Sequence, residues 1–391
     1  MPQSDNAYSF GNIKKKTTVR NGKEYVVWEV RISMGYDPLT GKQIQKSVSA
    51  KTQKEVREKL KHVLSELEND TYVEPSKMTV GEWLDTWAKE YLSNIKILTK
   101  ENYLHLIAKH LEPGIGQIKL ECLNTLTIQR LYNSLQTEKG LSAKTIKNIH
   151  GVLHMALSQA VDSGYIRKNP SDACKLPKIN KSEIVALEPE QMSTLLQKAQ
   201  EDSYNNLFIT ALFTGMRQSE LIGLSWDCVN METGVITVKQ QLQCKDGEYF
   251  ISTPKNGKPR VVVPAPLVME ALHQEKAKQD SYRMAAGSLL SNPHNLVFTD
   301  SLGKNLVRRT VVKHFKKITE RSGIDPAFRF HDLRHSYAVA SLQAGDDIKT
   351  IQSNLGHATA AFTLQVYAHV NDSMRQESSA RMQKYYESVI L

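Results

Sequence analysis

The spacing of apolar residues changes its period along the chain, so the fold must combine modules of different secondary structure. Glu24 to Met34 are rich in β-forming side chains, Gln43 to Val48 alternate, and turn signals such as Asn21-Gly22 separate the predicted strands. Thr52 to Leu67 repeat apolar residues at helical spacing instead. Residues 1–72 are therefore predicted to form a small three-stranded β-sheet with one helix.

Helical periodicity dominates the next block, residues 75–172. A capping-box pattern, Thr79-x-x-Glu82, opens its first helix, and Trp83 and Trp87 lie on the apolar face of that helix. Further amphipathic helices are predicted over Asn102 to Leu111, Thr127 to Leu135 and Ser142 to Ser163. A linker that contains Pro and Lys, Ser171 to Glu183, ends this helical module.

The last block, residues 183–391, mixes helices and strands. Leu187-Glu188-Pro189-Glu190 is typical of a helix start, and short strands are predicted near Val235–Val238, Tyr249–Ser252 and Arg260–Val263. With 391 residues, the chain exceeds what one hydrophobic core usually serves. We therefore predict a multidomain α+β protein whose last domain is mainly helical with a small β-sheet.

The charge of the chain favours a polyanionic partner. Lys and Arg number 51 against 41 Asp and Glu, a formal net charge of +10. No apolar stretch approaches the ~18 residues of a membrane span, and the N-terminus lacks a signal-peptide pattern. The four cysteines are scattered without a C-x-x-C pair, which indicates reduced thiols rather than a zinc site.

The last block contains three separated segments that are rich in residues suited to phosphate chemistry, and the first two are described here. Arg217 precedes Glu220 by three positions, which on a helix allows an ion pair, although an ordinary surface pair fits this segment equally well. His331 and Arg334 share a helical face, and they could move a proton and grip phosphate oxygens. Metal ligation by His331 and His335 is an alternative, but no carboxylate or Cys stands at convincing spacing.

Taken in order, Arg217, His331-x-x-Arg334, Leu355-Gly356-His357 and Tyr367 resemble the tyrosine recombinase family of phage and transposon integrases. The resemblance covers the whole last block. Lys255, in Thr253-Pro254-Lys255-Asn256, is similar to the lysine of the family's catalytic hairpin, with Lys258 as a rival. The three-block layout resembles integrases of conjugative transposons, in which an arm-type DNA-binding domain precedes a core-binding domain (SAM-like) and a catalytic domain.

The resemblance implies strand cleavage by Tyr367 through a 3′-phosphotyrosine, with no metal, ATP or other cofactor. Arg217 and Arg334 would hold the non-bridging oxygens, and Glu220 would position Arg217. His331 would accept the tyrosine proton, Lys255 would protonate the departing 5′-oxygen, and His357 would bind the scissile phosphate. The alternatives are a DNA-binding regulator without catalysis, a topoisomerase that reseals one duplex, and a non-DNA enzyme acting on phosphate esters.

Double-stranded DNA with core and arm sites is the expected partner. Candidate DNA contacts are the basic residues of the sheet and of the Ser142–Ser163 helix, although each set could be an ordinary solvated face: Lys14, Lys15, Lys16, Arg20, Arg31, Lys144 and Lys147. The resemblance also implies a homotetramer on DNA, docking of the predicted tail helix Asp372–Leu391 onto a neighbouring protomer, and accessory excision or DNA-bending proteins. It implies a bacterial cytoplasmic, nucleoid-associated protein that integrates or excises a phage genome or transposable element.

Overall fold

In the computed structural model, the residues described are 9–20, 23–36, 41, 43–68, 77–179, 185–356 and 372–390. They divide into two compact units, Met1–Asn180 and Lys181–Leu391. The mixed α and β content predicted from the sequence is confirmed, including the N-terminal sheet and a small sheet in the last block. Within the described part of the chain, no helix is long and apolar enough to cross a bilayer.

The first unit begins with a four-stranded antiparallel sheet followed by a helix. Its strands are β1 (Ser9–Phe10), β2 (Lys14–Arg20), β3 (Lys23–Tyr36) and β4 (Gln43–Ala50), and the helix is α1 (Gln53–Glu68). The long strand β3 is central and pairs with the other three, so the two-residue β1 extends the three strands that were predicted. Val30, Ile32 and Val48 bury one face of the sheet with Val56 and Leu60 of α1.

The rest of the first unit is helical: α2 (Val80–Glu90), α3 (Ile97–Leu106), α4 (Glu112–Ile115), α5 (Thr125–Thr137) and α6 (Ala143–Asp162). The Thr79–Glu82 capping box is present in full, and Ser142 caps α6 by accepting from the Thr145 amide. Trp83 and Trp87 are buried, as predicted. A π-helical turn, Ile107–Leu111, joins α3 to α4, so the helix does not stop at Pro113, which lies in a first turn where its missing N–H costs little.

The second unit is mainly helical around two small sheets. Its helices are α7 (Pro189–Ala199), α8 (Asn205–Thr214), α9 (Gln218–Leu221), α10 (Pro266–Ala286), α11 (Arg308–Arg321), α12 (Asp332–Gln343), α13 (Ile348–Leu355) and α14 (Asp372–Ile390). Its strands are β5 (Val229–Asn230), β6 (Val235–Val238), β7 (Gln241–Lys245), β8 (Glu248–Ser252) and β9 (Arg260–Val262). Strand β6 lies between β5 and β9, and β7 pairs with β8.

Two apolar clusters form the interior of this unit, and the larger one joins most of its elements. It contains Phe208 of α8, Phe315 of α11 and Phe330 just before α12. The rings of Phe315 and Phe330 meet edge to face, with centroids 5.4 Å apart. Helix α13 packs on α12 in a second, smaller cluster that includes Leu342, Ile351 and Leu355. The two clusters together position the ends of α8, α12 and α13, where the candidate site residues lie.

Candidate active site

Arg217 is placed by a sharp turn at the end of α8. Gly215 adopts φ +61°, and a Cβ there would lie 2.6 Å from side-chain atoms of both Leu355 and Tyr337. A residue with a side chain would be strained and crowded at this position, so the turn requires glycine. Arg217 is the N-cap residue of α9, and 18% of its side chain remains exposed.

Glu220 is a fully buried carboxylate that faces Arg217. The Arg217 backbone N–H and Nη1 donate to its two oxygens at 2.9 and 2.8 Å. Arg260 of β9 donates to the same two oxygens through Nη1 and Nη2, at 3.0 and 2.7 Å. Burial on its own would raise the pKa of Glu220, but the hydrogen bonds and charges of Arg260 and Arg217 outweigh it and lower the pKa to about 2.

Arg334, on the first turn of α12, joins two other parts of the unit. Its Nη1 donates to the Gly215 carbonyl at 2.6 Å and its Nη2 to the Leu355 carbonyl at 2.5 Å. Burial, followed by the positive charges of Arg217 and Arg260, lowers the pKa of this guanidinium. Arginine nevertheless stays charged at neutral pH, so a bound anion would stabilise this cluster of cations.

His331 stands at the N-terminus of α12, where it reaches solvent. Loss of water around the ring is the largest cause that lowers its pKa to about 4, followed by the charges of His335, Arg334 and Arg217. The imidazole is therefore neutral at pH 7 and can accept a proton. The His335 ring lies 5.5 Å away in a T-shaped arrangement. Asp332 pairs with Arg329 at 2.9 Å, and across the described residues no group of three metal-ligating side chains occurs.

A cleft of about 360 Å³ opens beside Arg217 and His331. Its cationic and polar lining comes from α9, α11 and the start of α12: Arg217, Gln218, Ser219, Arg308, Lys316, Arg329 and His331. Arg308 is fixed by a reciprocal pair of hydrogen bonds, Arg308 Nε to Gln218 Oε1 at 2.8 Å and Gln218 Nε2 to the Arg308 carbonyl at 3.1 Å. Val312 and Phe330 complete the lining, and the positive charges at its edge suit an anionic chain such as a phosphodiester backbone.

Lys255 lies on the exposed loop between β8 and β9. The loop turns at Gly257, which has φ +69° and donates its N–H to the Pro254 carbonyl at 2.9 Å. Asn256, which directly follows Lys255, donates from Nδ2 to the Gly356 carbonyl at 2.6 Å. Strands β8 and β9 belong to different sheets, so this loop is not the hairpin predicted from the sequence. The Asn256 contact places Lys255 one position along the chain from a residue bonded to the end of α13. Lys258 is exposed on the same loop.

Two of the predicted catalytic residues, His357 and Tyr367, lie outside the described residues. The described chain reaches Gly356, which ends α13 with φ +64°. Gly356 itself accepts the hydrogen bond from Asn256. Arg217, Glu220, His331 and Arg334 are gathered in the second unit around this point.

The basic residues of the N-terminal sheet divide between its two faces. Lys14 is paired across the strands with Glu29 and Lys16 with Val27, so both lie with Arg31 on the face opposite the α1 core. Lys15 is paired with Trp28 and points to the other face, and the Arg20 side chain lies outside the described atoms. Lys144 and Lys147 are exposed one turn apart on α6.

The sequence interpretation missed Arg260 and Arg308. A signal for Arg260 exists, because strand alternation places it on the same face as buried Val262, and a buried arginine needs an acid. No local pattern marks Arg308, because its partner Gln218 lies 90 positions away.

Comparisons with known proteins agree with this arrangement. A family model described as "Phage integrase family" matches residues 186–374, and one described as "Phage integrase, N-terminal SAM-like domain" matches residues 79–136. A tyrosine recombinase XerC-like protein of Caldanaerobacter subterraneus subsp. tengcongensis is 30% identical over 381 residues, covering 91% of this chain and 95% of that protein. The ICEBs1 integrase of Bacillus subtilis is 24% identical, covering 91% and 96%.

Among solved structures, the Tn1549 transposon integrase in complex with transposon right end DNA superposes with a TM-score of 0.67. The two share 23% sequence identity, and the match covers 78% of this chain and 100% of that one. This likeness concerns the fold.

Proposed function

The chain belongs to the phage integrase family of tyrosine recombinases, enzymes that cleave and rejoin DNA at specific sites, and we propose that it does so through a covalent bond between Tyr367 and a 3′-phosphate. The observation that carries the proposal is the cluster of guanidinium groups, Arg217 and Arg334, beside the neutral imidazole of His331. A phosphodiester repels nucleophiles until its charge is neutralised, and this cluster supplies that neutralisation.

Cleavage is proposed to proceed by in-line attack of the Tyr367 phenol on the scissile phosphorus. The phenol proton passes to His331, whose lowered pKa leaves its ring unprotonated before DNA binds. The bond from phosphorus to the 5′-oxygen breaks, and Lys255 protonates that oxygen. Arg217 and Arg334 stabilise the extra negative charge on the non-bridging oxygens, and His357 holds the phosphate in line.

Rejoining reverses these steps with a different 5′-hydroxyl. The 3′-phosphotyrosine conserves the energy of the broken bond, so attack by a 5′-hydroxyl of the partner duplex reseals the strand without ATP. Lys255 then accepts the proton of the attacking hydroxyl, and His331 returns one to Tyr367. The protein ends each cycle with its residues in their starting protonation states.

The modules are proposed to divide the work of DNA binding. Residues 1–72 would bind arm sites through the face of Lys14, Lys16 and Arg31, since these three share the surface opposite the α1 core. Residues 75–172 would contact the core site through Lys144 and Lys147, while residues 183–391 carry out catalysis. We also infer that Arg308 binds a non-scissile phosphate in the cationic cleft.

Assembly is proposed to involve four protomers, because recombination joins two duplexes. The α14 helix exposes Met382 and Tyr385 rather than packing them on the same molecule, which leaves them available to a neighbouring protomer. We further propose a cytoplasmic, nucleoid-associated enzyme of a phage or transposable element, with accessory excision or DNA-bending proteins deciding the direction of the reaction.

The test is covalent capture on a nicked duplex that releases a short strand after cleavage. Wild-type protein should form an adduct that survives denaturing electrophoresis, and Tyr367→Phe should bind the same duplex but form none. Tyr36→Phe, which removes the same hydroxyl from an exposed tyrosine of β3, should retain the adduct. A Tyr367→Phe protein that still forms adducts at the wild-type rate would refute the assignment.

A further inference from the structure

The C-terminal end of α13 is held by side chains from three other parts of the second unit. Arg260 Nε donates to the Asn354 carbonyl at 2.7 Å, Arg334 Nη2 to the Leu355 carbonyl at 2.5 Å, and Asn256 Nδ2 to the Gly356 carbonyl at 2.6 Å. Carbonyls at a helix end have no partner within the helix, so they are good acceptors for cations and amides. Three successive carbonyls at the end of α13 are therefore held by side chains.

Arg260 is the side chain that joins this helix end to the Arg217–Glu220 pair. While its Nε holds the Asn354 carbonyl, its Nη1 and Nη2 bind both oxygens of Glu220 at 3.0 and 2.7 Å. The Arg260 side chain is only 8% exposed, and three of its nitrogen atoms are engaged with protein. This geometry suits a bridge within the protein and leaves little of the guanidinium for DNA.

Glu220 is shared unequally between its two arginines. Arg260 donates to both Glu220 oxygens from two guanidinium nitrogens, whereas Arg217 donates from its backbone N–H and from Nη1 alone. One carboxylate cannot neutralise two guanidinium groups, so the Arg217–Arg260 pair keeps a net positive charge that suits a phosphate. Arg217 also keeps one face open, since it lines the cleft and is 18% exposed.

Gly356 makes the close approach of Arg260 feasible. A Cβ at Gly356 would lie 2.8 Å from Arg260 Cδ and 3.4 Å from its Nε and Nη1. Even alanine would therefore push the Arg260 side chain away from α13, in addition to the strain of φ +64°.

We propose that Arg260 is a positioning residue, which locks the Arg217–Glu220 pair and the C-terminal end of α13 into one geometry and does not itself bind DNA. The inference rests on the proposed function, because it treats Arg217 and His357 as parts of the catalytic site. Its consequence is that Arg260 governs the rate of cleavage in bound DNA and leaves DNA affinity unchanged.

The experiment compares Arg260→Met and Arg260→Lys with wild type and with Arg283→Met, the same substitution at an exposed arginine of α10. Three quantities are measured on the nicked duplex: the dissociation constant, the single-turnover rate of adduct formation at saturating DNA, and the melting temperature. We expect Arg260→Met to lower the saturated rate by about 100-fold, a loss typical of misplaced catalytic donors, with the dissociation constant within about threefold of wild type.

Arg260→Lys separates positioning from charge and stability. Lysine retains the positive charge beside Glu220, but one ammonium group cannot bind both Glu220 oxygens and the Asn354 carbonyl. We expect it to regain most of the melting temperature while the saturated rate stays at least about tenfold low. Recovery of both quantities would overturn the proposal, because charge alone would then suffice.

Gly356→Ala displaces Arg260 without removing it, so it serves if Arg260→Met is too unstable to assay. It should lower the saturated rate, and a wild-type rate in Gly356→Ala would overturn the proposal. Where Arg260→Met can be assayed, adding it to Gly356→Ala should lower that rate no further, because both changes remove the same Arg260 contacts. The proposal would be overturned if the rate losses of the two single variants multiplied in the double variant. It would also be overturned if Arg260→Met cleaved at the wild-type rate, or if a higher DNA concentration restored its rate. If wild type forms no adduct, or Arg217→Ala cleaves normally, the proposed function itself fails. If both behave as proposed, any failure belongs to Arg260 alone.

Discussion

Replacing Glu220 by Gln tests the electrostatic basis of the site. The substitution keeps the size of the side chain but removes the charge that Arg217 and Arg260 share. It also exchanges one acceptor oxygen for an NH₂ group that faces guanidinium donors. Because Glu220 is fully buried, water cannot replace the lost interactions.

The cost can be worked out from the pKa of Glu220, which falls from its ordinary 4.5 to about 2. One pKa unit corresponds to about 1.4 kcal/mol, so ionised Glu220 contributes about 3 kcal/mol to the free energy of unfolding. Breaking a buried ion pair by removing one partner costs a similar amount, about 3–5 kcal/mol. For a unit of this size, the melting temperature should fall by about 6–12 °C.

The pH dependence of this difference has a definite sign. The pKa of Glu220 is depressed in the folded protein, so its stabilising effect is complete above the unfolded pKa of 4.5 and is lost as pH falls towards 2. The gap between wild type and Glu220→Gln should therefore be constant around neutral pH and should narrow below about pH 4.5.

Scanning calorimetry of the full chain at several pH values measures this gap. Glu270→Gln, the same change at an exposed position of α10, is the control and should shift stability by less than about 0.5 kcal/mol. A Glu220→Gln protein within about 1 kcal/mol of wild type at neutral pH would refute the reasoning, because the amide would then serve as well as the carboxylate.

Three further predictions concern DNA and assembly. Arg334→Lys should lower the single-turnover cleavage rate by about 100-fold while the DNA dissociation constant stays within a few-fold of wild type, because one ammonium group cannot span the carbonyls of Gly215 and Leu355. An unchanged cleavage rate would remove Arg334 from the site. Arg308→Gln should weaken DNA binding and reduce the slope of log affinity against log salt by about 0.9, with saturated cleavage unchanged; an unaltered slope would exclude a phosphate contact. Truncation after His369 should leave binding to a single site but impair tetramer formation on paired sites in sedimentation analysis, and normal recombination by the truncated chain would contradict a role for α14.

Much of the architecture could be read from local patterns because local interactions decide it. The Thr79–Glu82 capping box and the Ser142 cap of α6 depend on residues three positions apart, and both occur as predicted. Strand β7 escaped prediction because Gln241–Lys245 is mostly polar, and pairing with β8 rather than its own composition makes it a strand.

The candidate site was predicted unevenly for a similar reason. The pairing of Arg217 with Glu220 follows from their spacing, and the structure contains it. Glu220 bonds Arg260 across 40 positions and Arg334 reaches Gly215 across 119, so no window of sequence contains either contact. The roles given to His357 and Tyr367 remain predictions, because both residues lie outside the described part of the chain.

The hydrogen bonds that Arg260 and Asn256 donate to the end of α13 decide which residues of this site can change during evolution. Arg260 and Asn256 bind backbone oxygens of Asn354 and Gly356, and every amino acid offers such an oxygen. Exchange of the Asn354 side chain leaves its carbonyl in place, whereas exchange of Arg260 or Asn256 removes a donor outright. Lineages that diverge from this chain can therefore change the side chain at position 354 and lose only its hydrogen bond to the Tyr337 hydroxyl, while Arg260, Asn256 and the glycine at position 356 are constrained together.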